Sequence, residues 1–386
     1  MAEPTPPTPA VPPSKRPLTT LFLLIFAGFS AACTWLMRIE PVFHDVPPHF
    51  QSVIDAERFE NGAPLLTRYT GIAAVDTVAR FLVAAFLSGT ARWDVGAHAQ
   101  QAYFLAHWFA IVCVWNVEAC RRRNSGRVVS FAALFALAYQ LIGGAVIAPL
   151  YYAAYVLTSA NDAYFFQGRE VPAYYAASLL PAAVLGYLVP TVALWYVPWS
   201  SLETVQYLTA LWQPAPLFVG LLVLLLSYLV PSSRSPSAVA KHADVKHLKR
   251  MYLFVGVVST AAHLYTLYTC LTSSDNPQLS LSYVFLPSRE TWKGSMALGL
   301  HYIFQVDFFG AYGASLVWLW LAVYDMLRIL GKPSAKDFVQ TAMGIAFITL
   351  IAGPGTTIVA VWHWREDRLV MIENGVRGTW KKPKAA

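Results

Sequence analysis

Charged residues are scarce in this sequence. Asp, Glu, Lys and Arg make up 13% of the 386 residues, whereas hydrophobic residues make up 56%. A soluble globular domain carries about 25% charged residues, so this composition, with its long apolar runs, excludes an ordinary soluble domain and indicates a polytopic membrane protein. The net charge of +7 does not indicate nucleic-acid binding, because the lysines and arginines lie in short clusters between apolar runs.

The sequence also lacks the motifs of familiar soluble enzymes. It contains no GxSxG, no Walker loop, no HExxH and no GxGxxG after a strand. Aspartate-rich DDxxD-type motifs are absent as well, which argues against metal-dependent ionisation of a diphosphate. The four cysteines form no CxxC and no Cys/His cluster with zinc spacing, so we predict no metal site, no disulfide framework and no cofactor.

Long apolar segments are present throughout the chain, and each is near or above the ~20 residues that a spanning helix needs. The alternating pattern of a membrane β-barrel is missing, and otherwise only helices satisfy their own backbone in lipid. We therefore predict an all-α fold, a polytopic integral membrane helical bundle with about eight to nine transmembrane helices. The segments cover residues 18–37, 69–90, 101–119, 128–158, 174–197, 214–231, 249–271, 300–328 and 337–363.

The basic loops constrain the topology. The stretches 121–127, 234–250 and 328–336 should all face the cytosol by the positive-inside rule. Two segments separate the last two stretches, which fits, but three separate the first two, which does not. Either the segment 128–158 breaks near its glycine pair, or one segment fails to cross; the sequence leaves these alternatives open.

The chain ends differ in composition from the apolar middle. Residues 1–17 are rich in proline and are predicted to be disordered. Residues 18–365 are predicted to form a single membrane helical domain, since no internal repeat is visible. Residues 366–386 are predicted to form a basic C-terminal tail.

Asp307, in "HYIFQVDFFGAYG", is the carboxyl that stands out inside an apolar segment. No lysine, arginine or histidine lies within four residues of it. In a dry site desolvation disfavours the ionised form, so such a carboxyl can keep its proton and serve as a general acid. The alternative is a protonated aspartic acid that only hydrogen-bonds another helix. The neighbouring candidates for a substrate site are His301, Phe304, Gln305 and Phe308.

Glu118, in "IVCVWNVEACRRR", is a second candidate acid. Arg121 and Arg122 follow at i+3 and i+4, so an interfacial salt bridge explains Glu118 as well as a function does. The functional interpretation rests on Trp115 and Asn116 in the same turn, which would position a polar ligand at the membrane edge.

The remaining candidates are weaker. Asp76 lies four residues before Arg80, so the two should neutralise each other on one helix face, which favours a structural role for Asp76. Gln140, in "LAYQLIGG", is more often a contact between membrane helices than a ligand-binding residue. Tyr151 and Tyr152, in "APLYYAAY", belong to an aromatic cluster whose faces could stabilise a cation.

Several strings together resemble a known family. They are "VWNVEACRRRN" at 114–124, "LAYQLIGGAVIAPLYYAAY" at 137–155, "GREVPAYYAASLLPAAVLGYLVPT" at 168–191, "LWQPAPLFV" at 211–219 and "HYIFQVDFFG" at 301–310. In this order they resemble the fungal membrane-bound terpene cyclases of meroterpenoid pathways, of the ascofuranone/macrophorin type. The resemblance covers about residues 70 to 320.

The resemblance implies a metal-independent terpene cyclase of secondary metabolism, an integral membrane protein expected in the endoplasmic reticulum. It would protonate a terminal epoxide or olefin of an apolar prenylated substrate that enters from the lipid bilayer. The acids that it implies are Asp307 and Glu118, with Asp76 third. Nucleic acid is not an expected partner, whereas an epoxidase or a prenyltransferase of the pathway is. The competing interpretations are a transporter of small metabolites or protons, and a structural membrane protein without catalysis.

Overall fold

The computed structural model describes residues 14–230, 242–273, 275–331 and 333–375. These residues form helices and no β-strand, which confirms the all-α class. In chain order the α-helices of the described residues are α1 (Thr19–Thr34), α2 (Glu40–Phe43), α3 (Phe50–Ala56), α4 (Ala73–Thr90), α5 (Val95–Cys120), α6 (Ala132–Ile142), α7 (Gly144–Thr158), α8 (Ala173–Ala183), α9 (Val189–Trp195), α10 (Leu202–Trp212), α11 (Ala215–Ser227), α12 (Ala243–Thr272), α13 (Leu281–Phe285), α14 (Met296–Leu330) and α15 (Ala335–Glu373).

Seven helical segments of the described residues are long and apolar enough to cross a membrane, or eight if α10 and α11, bent by 57°, form one span. A π-helical turn joins α1 to α2 and another joins α8 to α9, so each pair is one segment. Large apolar side chains such as Leu24, Leu253 and Leu350 are exposed on the outer surface, where lipid accommodates them. These features confirm the predicted polytopic helical bundle.

Helix α5 is the centre of the bundle. In an apolar stretch of 18 residues of α5, 89% is buried, because helices α4, α8, α12 and α15 pack around it. Its sequence has apolar residues on every side, as a helix surrounded by protein requires. Asp94 caps its first turn by accepting hydrogen bonds from the Gly96 and Ala97 amides, both at 2.9 Å.

Helices α6 and α7 form a hairpin that enters the bundle and returns to the same side. The break lies at Gly143, which has φ 120°. The Tyr164 hydroxyl, after α7, donates to Asn124 Oδ1, before α6, at 2.9 Å, so both ends of the hairpin lie together. Of the two sequence-based alternatives, the break near the glycine pair is therefore correct. With the hairpin returning, two apolar segments, α8–α9 and α10–α11, lie between the first two basic stretches, the number that the positive-inside rule requires if each of them crosses.

Helix α15 is a second hairpin rather than the single crossing predicted at 337–363. Gly353 has φ 83° and ψ 164° and interrupts the helix. Thr349 and Thr357 hydrogen-bond through their hydroxyls at 2.9 Å across this break, whereas residues eight apart on a straight helix lie about 12 Å apart. The chain folds back here because a glycine with positive φ and extended ψ reverses the backbone, a feature that hydropathy does not detect.

The backbone at Gly353 leads to a testable difference between two glycines of α15. We expect Gly353→Ala to destabilise the protein by about 1–3 kcal/mol, since its φ and ψ are essentially restricted to glycine and an added Cβ would overlap the His107 ring. The control Gly344→Ala has nothing within 4 Å of the added Cβ and should stabilise the helix by roughly 0.5–1 kcal/mol. Thermal unfolding in detergent micelles measures both. Identical midpoints for Gly353→Ala and the original chain would contradict the constraint at this break.

The ordered domain extends beyond both predicted boundaries. Residues 1–13 and 376–386 lie outside the described residues, so the predicted disorder and basic tail are not described there. Arg16, inside the stretch predicted as disordered, is buried and pairs with Asp325 at 2.6 Å. At the other end, Arg365 and Glu366 are fully buried and α15 continues to Glu373, so the helical domain does not end at residue 365.

Candidate functional site

A cavity of about 390 Å³ lies beside the tip of the α6–α7 hairpin. Its walls come from the π-helical turn after α1, Pro47 and the start of α3, α4, α5, the hairpin tip, α10 and α14. Among the described residues that line it, Asp307 is the only acid and Arg38 the only base. The aromatic wall residues are Phe81, Phe86, Phe104, Trp108, Tyr139, Trp212 and Phe304, with Phe50 at the rim.

Asp307 binds the N-terminus of α7. The Ala145 amide donates to Asp307 Oδ1 at 2.5 Å. The first amides of a helix have no partner within that helix and carry its positive dipole end, so they favour a carboxyl group at this point. Such broken helices occur at membrane depth where they line a cavity, and their N-termini point at anionic groups.

Arg38 binds the C-terminus of α6, on the other side of the break at Gly143 from Asp307. Its Nε donates to the carbonyl oxygen of Ile142, the last residue of α6, at 2.9 Å. Arg38 and Asp307 form no ion pair within 4.0 Å in the described structure, although both line the cavity. In the sequence, no basic residue lies within four positions of Asp307. The structure adds Arg38, from the turn after α1, whose guanidinium group already donates to the Ile142 carbonyl oxygen.

Gln101 is a cavity residue that sequence reasoning missed. It is 1% exposed, and neither its side-chain amide nitrogen nor its amide oxygen has a hydrogen-bond partner among the described residues. Buried polar groups are normally paired, so the unpaired Gln101 amide lies where a molecule in the cavity could bind to it. The signal in the sequence was the pair "QQ" inside an apolar helix, which the predicted segment placed at its edge.

Three of the predicted site residues line the cavity: Asp307, Phe304 and Gln140. The Gln140 side-chain amide donates to the Gln213 carbonyl oxygen at 2.7 Å. The interhelical contact predicted for Gln140 is therefore present, and the residue lines the cavity as well.

The other predicted substrate-binding residues lie elsewhere. On the α5 side, Trp115 stacks on Tyr151 with ring centroids 3.9 Å apart. The Tyr152 hydroxyl hydrogen-bonds Ser315 Oγ at 2.6 Å. The Asn116 amide donates to the carbonyl of its own helix at Val112, at 2.8 Å. These residues fill a packed aromatic region instead of lining the cavity.

The α14 residues near Asp307 divide in the same way. Gln305 donates to the Tyr283 carbonyl oxygen at 2.6 Å, and His301 Nε2 contacts the Val284 carbonyl oxygen at 3.4 Å, so both hold α13 in place. Phe308 packs against Tyr103. These positions lie on other faces of α14 than Asp307, and none of them lines the cavity.

Glu118 belongs to a buried ion network and does not line the cavity. Its Oε1 accepts from Arg121 at 2.9 Å and from Arg365 at 3.0 Å. Trp362 Nε1 donates to the same oxygen at 3.1 Å, and Asn124 donates to Oε2 at 3.1 Å. The side chain is 0% exposed, so the predicted interfacial pair is a buried one. Four donors stabilise the ionised carboxylate, so Glu118 is poorly suited to hold a proton that it could donate to a substrate.

The same network extends to Arg169, before α8, to the start of α12 and further along α15. Arg121 also pairs with Glu366. Arg169 pairs with Asp244 at 3.0 Å and with Glu373 at 3.1 Å. These charged groups, almost all buried, tie the end of α5 to the start of α12 and the end of α15. The network closes this end of the bundle.

The structure contradicts the predicted ion pair between Asp76 and Arg80. Its carboxyl accepts hydrogen bonds from the amides of Tyr69 at 3.1 Å, Thr70 at 2.7 Å and Gly71 at 3.0 Å. Arg80 instead pairs with Glu57 at 3.4 Å. The loop before α4 folds back onto its first turn and supplies three donors, so Asp76 holds a loop and does not line the cavity.

Two buried histidines, His107 and His263, contact neighbours within the bundle, although His107 Nε2 has no hydrogen-bond partner among the described residues. His263 Nδ1 contacts the Tyr103 hydroxyl at 2.9 Å, and His107 Nδ1 accepts from the Gly355 amide at 3.1 Å. In the part of the chain that the structure describes, no group of three His, Cys, Asp or Glu side chains is arranged to hold a metal ion.

The fold and its cavity define the class: a polytopic helical membrane protein with an aromatic-walled cavity inside the bundle. The chain belongs to the CtvD domain family, which matches residues 48–371. No solved structure gives a significant match.

Curated relatives are of two kinds. The FAD-dependent monooxygenase verC1 of Penicillium polonicum is 25% identical over 67% of this chain, but the match covers only 31% of the relative. The terpene cyclase ascI of Acremonium egyptiacum is 23% identical over 80% of this chain and 82% of its own length, and the terpene cyclase DEP1 of Fusarium langsethiae is 25% identical over 84% and 93%. The chain spans about a third of the length of the FAD-dependent monooxygenases that it matches. The matches to the terpene cyclases confirm the predicted resemblance to this fungal family.

Proposed function

We propose that this protein is a metal-independent membrane terpene cyclase of meroterpenoid biosynthesis. Asp307 would protonate a terminal epoxide or olefin of a prenylated substrate and so start ring closure. The observation that carries the proposal is a single carboxyl, held at a broken helix, in a cavity with aromatic walls. The names of the full-length relatives support the reaction class.

The reaction balances without an oxidant or a reductant. With an epoxide, the proton of Asp307 goes to the epoxide oxygen, and the C–O bond at the more substituted carbon breaks. An internal alkene or hydroxyl oxygen then forms the new bond to the cationic carbon. The capturing group then loses one proton, from the hydroxyl oxygen or from a carbon next to the new cationic centre. The Asp307 carboxylate takes up this proton, directly or through solvent, so the acid is restored and the product is a cyclic isomer of the substrate. A general acid of this kind contributes about 10²- to 10⁴-fold to the rate.

The walls suit a cationic intermediate. The face of Trp, Tyr or Phe attracts a cation, by about 2 kcal/mol or more when both are desolvated. Trp108, Tyr139 and Phe304 are among the rings that line the cavity. The apolar lining also keeps water from the cation until the ring has closed.

The two kinds of relatives together support an epoxide as the substrate. Two relatives named FAD-dependent monooxygenases contain, in about a third of their length, a region like this chain. A monooxygenase places one oxygen atom on a substrate, and an alkene so oxidised is the epoxide that Asp307 would open. We propose a separate epoxidase as the partner that supplies the substrate, with a prenyltransferase acting earlier.

The closed end of the bundle supports a cyclase over a transporter. A transport path would have to reach both faces, whereas the buried network around Glu118, Arg121 and Arg169 fills one end. The apolar lining of the cavity suits an apolar substrate dissolved in a membrane, for which we propose the endoplasmic reticulum.

The test uses microsomes from a heterologous host that express the full chain. They are given a farnesyl-phenol with a terminal epoxide, and the products are separated by mass spectrometry and NMR. We expect a cyclic isomer of unchanged mass that control microsomes do not form. Substrate recovered unchanged, or taken up into the vesicle lumen without reaction, would refute the proposal.

Gln101 offers a separate prediction. We expect Gln101→Leu to leave the protein at least as stable, because it removes two buried polar atoms without partners, each of which costs about 1–3 kcal/mol. We expect kcat/KM to fall by about tenfold, the loss of one hydrogen bond to substrate. Unfolding temperature and microsomal kinetics measure the two effects. Unchanged kinetics together with a lower unfolding temperature would show that Gln101 has a structural role only.

A further inference from the structure

A second cavity, of about 470 Å³, adjoins the one that contains Asp307. It lies between α4, α6, α10 and α11. The two cavities share three lining residues: Leu82, Gln140 and Leu141. We call the second cavity the side groove.

The side groove opens towards lipid. Leu137, Leu141 and Leu211 line it, and their side chains are 45%, 51% and 59% exposed on the outer face of the bundle. In a membrane protein such exposed leucines face the acyl chains. Most of the lining is apolar, so water and ions would gain little there, whereas a hydrocarbon chain would gain contacts.

The boundary between the two cavities carries one buried polar group without a partner. Gln213 lines the side groove, is 6% exposed, and accepts the Gln140 amide through its carbonyl oxygens. The side-chain amide nitrogen of Gln213, Nε2, donates no hydrogen bond in the described structure. Because buried donors are normally paired, this nitrogen marks a position for an oxygen of a bound molecule.

We infer that the side groove binds the part of the substrate farthest from the reacting group. The reacting end lies at Asp307, the chain passes Leu82 and Leu141, and the remaining prenyl units and head group occupy the side groove, with a substrate oxygen at Gln213. The inference rests on the proposed function and adds to it: the natural substrate has a long prenyl chain, and a short prenyl substrate leaves the side groove empty.

A series of chain lengths tests this. Phenols carrying a dimethylallyl, geranyl or farnesyl chain, each with a terminal epoxide, are given to microsomes with the original chain, Ala79→Trp or Ala210→Phe, which fill the side groove. We expect kcat/KM for the farnesyl substrate to fall by at least about tenfold, with little change for the dimethylallyl substrate. Ala31→Trp, on the exposed face of α1, is the matched control and should change neither. An equal effect on all three substrates, or none, overturns the inference.

Photo-crosslinking gives a readout that needs no turnover. The farnesyl substrate carries a diazirine on its aromatic ring, and labelled peptides are identified by mass spectrometry. We expect labels on residues 69–79 or 213–217, which line the side groove but not the Asp307 cavity, and their loss in Ala79→Trp. Such labels without any product would leave the side groove standing and refute the cyclase, whereas product with labels only around Asp307 would refute the side groove and leave the cyclase.

Discussion

Asp307→Asn will lower the rate of cyclisation by about 10²- to 10⁴-fold, the usual contribution of a general acid, and will leave the protein folded. The asparagine oxygen can still accept the Ala145 amide at the start of α7, so the hairpin tip keeps its cap. Asparagine has no acidic proton to donate to the substrate, so the general-acid step is lost. The measurement is kcat with the farnesyl epoxide in microsomes, together with the unfolding temperature in detergent.

Two further variants separate the acid from the cap. Asp307→Ala removes both, so it should lose activity and unfold at a lower temperature. Asp76→Asn changes a carboxyl that lies outside the cavity and should retain most of the activity. Full activity of Asp307→Asn would remove Asp307 from the mechanism, and inactivity of Asp76→Asn at unchanged stability would move the acid to α4.

Arg121→Met will destabilise the protein by about 3–5 kcal/mol, the cost of leaving a buried charge without its partner. Arg121 pairs with Glu118 and Glu366, and all three side chains are fully buried. Its sequence neighbour Arg122 is exposed and pairs with Glu170 at 3.5 Å. Arg122→Met is therefore the control and should cost less than about 1 kcal/mol.

Thermal and denaturant unfolding in the same detergent compare the two arginine variants. Glu118→Gln should resemble Arg121→Met, since it leaves the buried Arg365 without its carboxylate partner. If Glu118→Gln unfolds like the original chain but makes no product, Glu118 is a catalytic acid and the structural assignment is wrong. Equal unfolding midpoints for Arg121→Met and Arg122→Met would show that the network adds no stability.

Much of the fold was accessible from the sequence because its signals are local. Hydropathy identifies apolar segments, and Ser334 with Asp337 forms a capping box that starts α15. The conflict between the basic stretches and the segment count left a break near the glycine pair as one of two alternatives, since charge placement constrains the number of crossings. The fold-back at Gly353 was missed, because a hairpin and a long span have the same hydropathy.

The candidate site was only partly accessible. Asp307 was identified because a carboxyl without a basic neighbour is rare in an apolar segment. Helical spacing then placed Gln305 and Phe308 beside it, but spacing does not tell which face of α14 meets a cavity. Gln101 was overlooked because α5 is buried on every side, so its sequence has no polar face that points to the cavity.

By itself the sequence determined the class of the protein: a helical membrane bundle with one unpartnered acid, because apolar length and scarce charge act residue by residue. Tertiary structure alone decided which groups meet. Arg38 reaches Ile142 across 104 residues and Asp307 reaches Ala145 across 162. Glu118 finds Arg365 across 247. These partners depend on how helix faces pack, and packing is a property of the whole bundle.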